Sequence, residues 1–130
     1  MIGEWQPADA GGKPEATLTR ELIKMLADAA EAPQNAPADI QQAARQCIQC
    51  APELWITAFE DIDDDALIKL AFFYIRAEQT LAGFESGASN PAIQVFRYLK
   101  SQGRKPSKET VKAMKAETDN RFIPHGDALS

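Results

Sequence analysis

The sequence predicts an all-α fold: a single compact bundle of five or six short helices around a central apolar helix at about residues 64–82. Three observations carry this. Apolar residues recur with a helical period in segment after segment. Proline, asparagine or serine stands where several of those segments begin, as at Asn90-Pro91 and Ser107. The stretch DIDDDALIKLAFFYIRAEQTLAG is apolar around most of a helix's circumference and must be surrounded by other helices. FFYI alone would suit a buried strand, but the run's length and its flanking helix formers favour a helix.

Residues 1–16 hold Pro7, Gly11-Gly12 and Pro14 with little periodicity, and read as a disordered tail before a helical domain at 17–130. Trp5 is the one aromatic there and is expected to dock on the domain. Thr17 can cap a first helix whose inner face is Leu18, Leu22, Met25, Leu26 and Ala29, with Pro33 as its stop. Pro37 suits the first turn of a second helix, with Ile40, Ala43, Ala44, Cys47 and Ile48 on one face, ending near Ala51-Pro52. Pro52 then opens a short third helix carrying Leu54, Trp55, Ala58, Phe59 and Ile62. The central helix follows, with Gly83 as its stop. Asn90-Pro91 starts the next, with Ala92, Val95, Phe96 and Leu99 inward and Gly103 at its end. Ser107 caps a last helix to about Thr118, with Val111 and Met114 inward.

At 130 residues the chain suits one domain with a real core. No run of about 18 apolar residues exists to span a membrane. The start MIGEWQPADAGG lacks the basic and apolar regions of a secretory signal, so cytoplasm and reduced thiols are expected. The net charge of −5 is unevenly spread. Residues 1–90 carry 6 Lys/Arg against 15 Asp/Glu, and residues 91–130 carry 8 against 4. Such asymmetry marks either a polyanion-binding face or two oppositely charged, solvated parts.

The candidate sites are few. Asp63-Asp64-Asp65 could attract a divalent cation, but neighbours on a helix point apart and no EF-hand spacing is present. One Asp as N-cap, with the others at the positive helix end, accounts for all three. Cys47 and Cys50 form a lone CxxC without further zinc ligands or a βαβ setting, and read as core thiols. GFESGASNP lacks the order of a phosphate-binding loop. Glu78 lies on the side of Leu67, Leu70, Tyr74 and Leu81, so a half-buried carboxylate paired with Arg97 or Arg121 is expected. The only histidine, His125, sits in Pro124-His125-Gly126-Asp127, and two ligands are too few for a metal. Phe122 and Ile123 make about residues 119–130 a docked, non-helical clasp that buries them. No cofactor and no metal are expected.

The basic stretch RYLKSQGRKPSKETVKAMK is the strongest feature left. Arg97, Lys100 and Arg104 repeat on one helix; Lys108, Lys112 and Lys115 repeat on the next; Lys105 lies between. These seven are the candidate residues for a partner or polyanion. Three function classes follow. The first is a non-enzymatic protein–protein interaction or regulatory module with a protein partner. The second is a nucleic-acid binder using 97–115, against which the pI near 4.9 counts. The third is an enzyme using Glu78, an Asp or His125, which requires a pocket with converging polar groups. Phe84, Trp55 or Phe73 would supply the exposed apolar patch of an oligomer.

Overall fold

Each helix starts where the chain supplies a donor-satisfying or φ-setting residue. The structure, a computed structural model, describes residues 18–118, 120 and 123. Among these are six α-helices and no strand: α1 (Arg20–Asp28), α2 (Ala38–Cys47), α3 (Pro52–Phe59), α4 (Asp64–Thr80), α5 (Pro91–Ser101) and α6 (Lys108–Ala116). Short 3₁₀ turns lie at Pro33–Asn35 and Gly87–Ser89. Side chains of Thr19, Asp63, Asn90 and Ser107 accept the backbone N–H of Leu22, Ala66, Ala92 and Thr110, closing the first turns of α1, α4, α5 and α6. Pro52 and Pro91 take the first helical positions of α3 and α5, where a missing N–H costs nothing.

The long helix α4 packs against α1 on one side and α5 on another, and α3 packs on α5. Leu67, Leu70, Ala71, Phe73, Tyr74, Ile75 and Ala77 of α4 are buried. Its open stripe runs through Asp65, Lys69 and Gln79, with Ile68, Phe72 and Arg76 half-buried beside it. Aromatic rings knit three elements: Trp55 and Phe59 of α3 meet each other, Tyr74 of α4 and Tyr98 of α5 at centroid distances of 5.4 to 5.9 Å. Phe84, in the loop after α4, lies 6.3 Å from Phe73 and 6.2 Å from Tyr74. Tilted and edge-on pairs of this kind add about 0.5–1.5 kcal/mol each beyond area burial. Buried polar groups are answered. Tyr74 donates its hydroxyl to the Ala44 carbonyl of α2 at 2.7 Å, and the buried Asn90 donates to the Tyr74 carbonyl at 3.5 Å.

Several boundaries and faces differ from the sequence reading. The cap of α1 is Thr19, and Thr17 lies outside the described residues. Its buried face is Leu22, Ile23, Leu26 and Ala27, while Met25 is 50% exposed. Both faces obey the helical period; the neighbour α4 selects the one rotated toward Ile23. Helix α2 ends at Cys47 rather than near Ala51, in a turn where the Cys50 N–H bonds the Cys47 carbonyl at 3.0 Å. Helix α4 ends at Thr80, before Gly83, which instead takes a positive φ of 87° in the following turn. A Cβ at Gly83 would also stand 2.7 Å from Arg45 Cδ. Trp55, Phe73 and Phe84 are all 1% exposed or less, so none of them forms a surface patch; among the described residues the large apolar side chains that face water are Met25 and Ile56.

The expected tail at 1–16, including Trp5, lies outside the described residues, as do His125, Phe122 and Arg121. Of the expected C-terminal clasp, Asn120 and Ile123 are described. Ile123 is 3% exposed and belongs to the core cluster. Asn120 donates its amide to both Glu78 carboxylate oxygens at 3.2 Å and to the Gly87 carbonyl at 2.9 Å.

Candidate functional site

The basic candidates sit on α5, α6 and the connection between them. Helix α5 stops in a left-handed turn. Gly103 has φ 73°, its N–H bonds the Lys100 carbonyl at 3.1 Å, and the Arg104 N–H reaches back to Leu99 at 2.8 Å. That paired pattern satisfies the last carbonyls and turns the chain away. Arg104 therefore does not continue the row of Arg97 and Lys100 along a helix. Its guanidinium instead meets Asp64 of α4, with Nε 3.0 Å from Oδ1 and 3.1 Å from Oδ2. The hydrogen bond to this carboxylate raises the Arg104 pKa further.

All seven basic residues are exposed. The structure brings three of them together. Lys105, Lys108 and Lys112 rim a pocket of 390 Å³ whose remaining described walls are Phe96 of α5, Pro106 of the connection and Val111 of α6. Phe96 and Pro106 are themselves buried, so they form a fixed apolar floor. Among the described residues no carboxylate pairs with any of the three lysines. Arg97, Lys100, Arg104 and Lys115 lie outside the pocket. The two ends of α6 treat lysine differently. Lys115 is in the last turn, where a cation suits the helix dipole. Lys108 is the first helical residue, where the dipole is already positive, and Lys105 stands just before it. A cation at that end opposes the helix and adds to the local positive potential.

The other candidates resolve into structural roles. Asp63 caps α4, with the Ala66 N–H at 2.8 Å, and Asp64 holds Arg104. No group of three or more His, Cys, Asp or Glu among the described residues is placed to share a metal ion. Cys47 and Cys50 are buried and not joined in a disulfide. Burial, then the neighbouring Cys50, push the Cys47 thiol well above the ordinary range, and burial does the same to the Tyr74 hydroxyl. Glu78 is half-buried, as expected, but the partners its carboxylate shows are not arginines. It accepts from the Ser86 N–H at 3.0 Å and from Asn120. The loop GFESGAS thus spends Ser86 on Glu78 and Gly87 on Asn120.

Sequence reasoning missed the residue that organises this end of the molecule. Arg76 of α4 donates to both Glu117 oxygens at 2.7 and 2.9 Å and to the Ala30 carbonyl at 2.7 Å. Its guanidinium lies 5.0 Å from the Phe72 ring centre. The paired arginine holds the Glu117 carboxyl below the usual carboxylate range. The signal available was Arg76 standing in an otherwise apolar helix, which calls for a carboxylate from another element.

A comparison with protein-family models, curated proteins and solved structures finds no match to this chain. Among the described residues no helix is long and apolar enough to cross a membrane. Among the described residues the fold is all-helical, and a lysine-rimmed apolar pocket lies between α5 and α6.

Proposed function

We propose that this chain is a non-enzymatic protein–protein interaction or regulatory module of the cytoplasm, and that an acidic partner protein meets it on the face of α5 and α6. One observation carries the reading: Lys105, Lys108 and Lys112 surround an apolar pocket without carboxylate partners among the described residues. Exposed lysines over an apolar floor favour an acidic protein surface, which supplies charge and apolar contact together. Lys108 stands at the positive end of its helix, where the dipole does not favour a cation, which supports a role outside the fold. Buried cysteines outside any disulfide suit a reducing compartment.

Nucleic acid is the second reading, supported by the exposure of all seven cations along 97–115. Two features weigh against it. Arg104 is engaged by Asp64 and does not extend a phosphate-tracking row. The pocket is walled by Phe96, Pro106 and Val111, where a nucleic-acid groove sets phosphate contacts.

Fluorescence anisotropy separates the two. Labelled single- and double-stranded nucleic acid, and labelled poly-glutamate, are titrated at about 50 and about 200 mM salt. The proposal expects poly-glutamate binding that weakens when Lys105, Lys108 and Lys112 become Ala, with no tighter binding of either nucleic acid. Micromolar nucleic-acid binding that collapses at the higher salt, and depends on Lys108, Lys112 and Lys115, would put the second reading first.

A further inference from the structure

The pocket has more room than a charge contact needs. Pockets of about 300–1,000 Å³ with mostly apolar walls hold a compact ligand or a cluster of side chains. At 390 Å³, this one exceeds a single aliphatic side chain, and its floor is fixed by buried Phe96 and Pro106. Val111 and Lys112 are consecutive on α6, so apolar wall and cationic rim alternate within one turn. Lys108 and Lys112 are four residues apart and therefore stand on the same side of the helix. An occupant must then place bulk in the pocket while setting negative charge at its edge.

We infer that this pocket is an anchor site for an acidic segment of a partner protein that inserts one or two bulky apolar side chains between Phe96, Pro106 and Val111, with its carboxylates on Lys105, Lys108 and Lys112. The inference rests on the interaction reading above and adds the anchor. Recognition through apolar residues on one face of an acidic helix is a common way to fill such a groove.

The test uses the full chain and two fluorescein-labelled helical peptides of equal length and equal glutamate content. One carries two leucines four residues apart; the other has serine at both positions. Anisotropy at about 100 mM salt is expected to give at least about tenfold tighter binding for the leucine peptide, the order expected from burying one such side chain. Val111→Gln, at a half-buried position, is expected to erase that difference. The triple variant Lys105→Gln, Lys108→Gln, Lys112→Gln is expected to lose both peptides. Equal binding of the two peptides to the wild type overturns the anchor and leaves the acidic-partner reading standing. Absence of binding by both peptides, or lysine-independent binding, overturns the acidic-partner reading and the anchor with it. The wild-type comparison needs no variant to fold, and far-UV circular dichroism checks the variants.

Discussion

The two ends of α6 use charge in opposite ways. At its C-terminal end, Glu117 is clamped by Arg76, which also holds the end of α1 through the Ala30 carbonyl. Beside it, Glu78 gathers Ser86 and Asn120. The groups there are half-buried and answered several times over. From its N-terminal end to its middle, Lys105, Lys108 and Lys112 are exposed around a pocket and pair with no described carboxylate. A charge that closes a fold is desolvated and must be matched within the fold. A charge left in water and against its own helix dipole stays available to another molecule. The difference predicts that stability and binding divide between the two ends.

The largest stability effect belongs to the C-terminal end. Ile123→Ala removes a side chain that is 3% exposed and is expected to cost about 2–4 kcal/mol by chemical denaturation. Truncation after Asn120 should lower the melting temperature as well; an unchanged value would show that Ile123 contributes nothing to closing the domain. Arg76→Ala is expected to cost about 1–2 kcal/mol, since it strands Glu117 and removes a donor from Ala30. The smaller Glu117→Gln effect should depend on pH in a definite direction. The folded Glu117 pKa lies below its ordinary value of 4.5. Its contribution is therefore fully present above that value and fades as pH falls through the folded pKa. Wild type and Glu117→Gln should thus converge in stability in acid and separate at neutral pH; a constant gap would sink the assignment. Smallest of all, Lys105→Ala, Lys108→Ala and Lys112→Ala should each change stability by less than about 0.5 kcal/mol. Made together, those lysine changes are expected to abolish acidic-peptide binding, whereas Arg76→Ala, once checked as folded, should leave it intact. Binding loss in Arg76→Ala together with unaffected lysine variants would reverse the division.

How far the sequence reached follows the range of the interactions. Local chemistry was legible: Asp63, Asn90 and Ser107 act within three residues of themselves, and each caps the helix it precedes. That residues 64–80 form a helix was legible too, from the length of the run and its flanking helix formers. Faces were legible only to within a rotation. Met25 and Ile23 both fit the period of α1, and the packing of α4 decides between them. Partners across the fold were not legible. Nothing near Glu78 in the chain announces Asn120, which lies 42 residues away and is brought in by the chain's return after α6. By spacing Arg104 reads as the third member of a helical row, although it follows Gly103, where the helix has already ended. The pocket itself is a property of the connection between two helices, with buried Pro106 as its hinge of shape. The basic residues could be named from the sequence, but not which three share a cavity.

The pair of buried thiols supplies a clock for the opening of the core. Cys47 is fully enclosed, and its surroundings disfavour the thiolate, the only form that attacks an alkylating reagent. Modification must wait until α2 lifts away from Tyr74, whose hydroxyl bond to Ala44 holds that helix down. With iodoacetamide in excess at neutral pH, the rate of mass gain at Cys47 is expected to report how often this part of the molecule opens. Tyr74→Phe, which removes that bond, should quicken it.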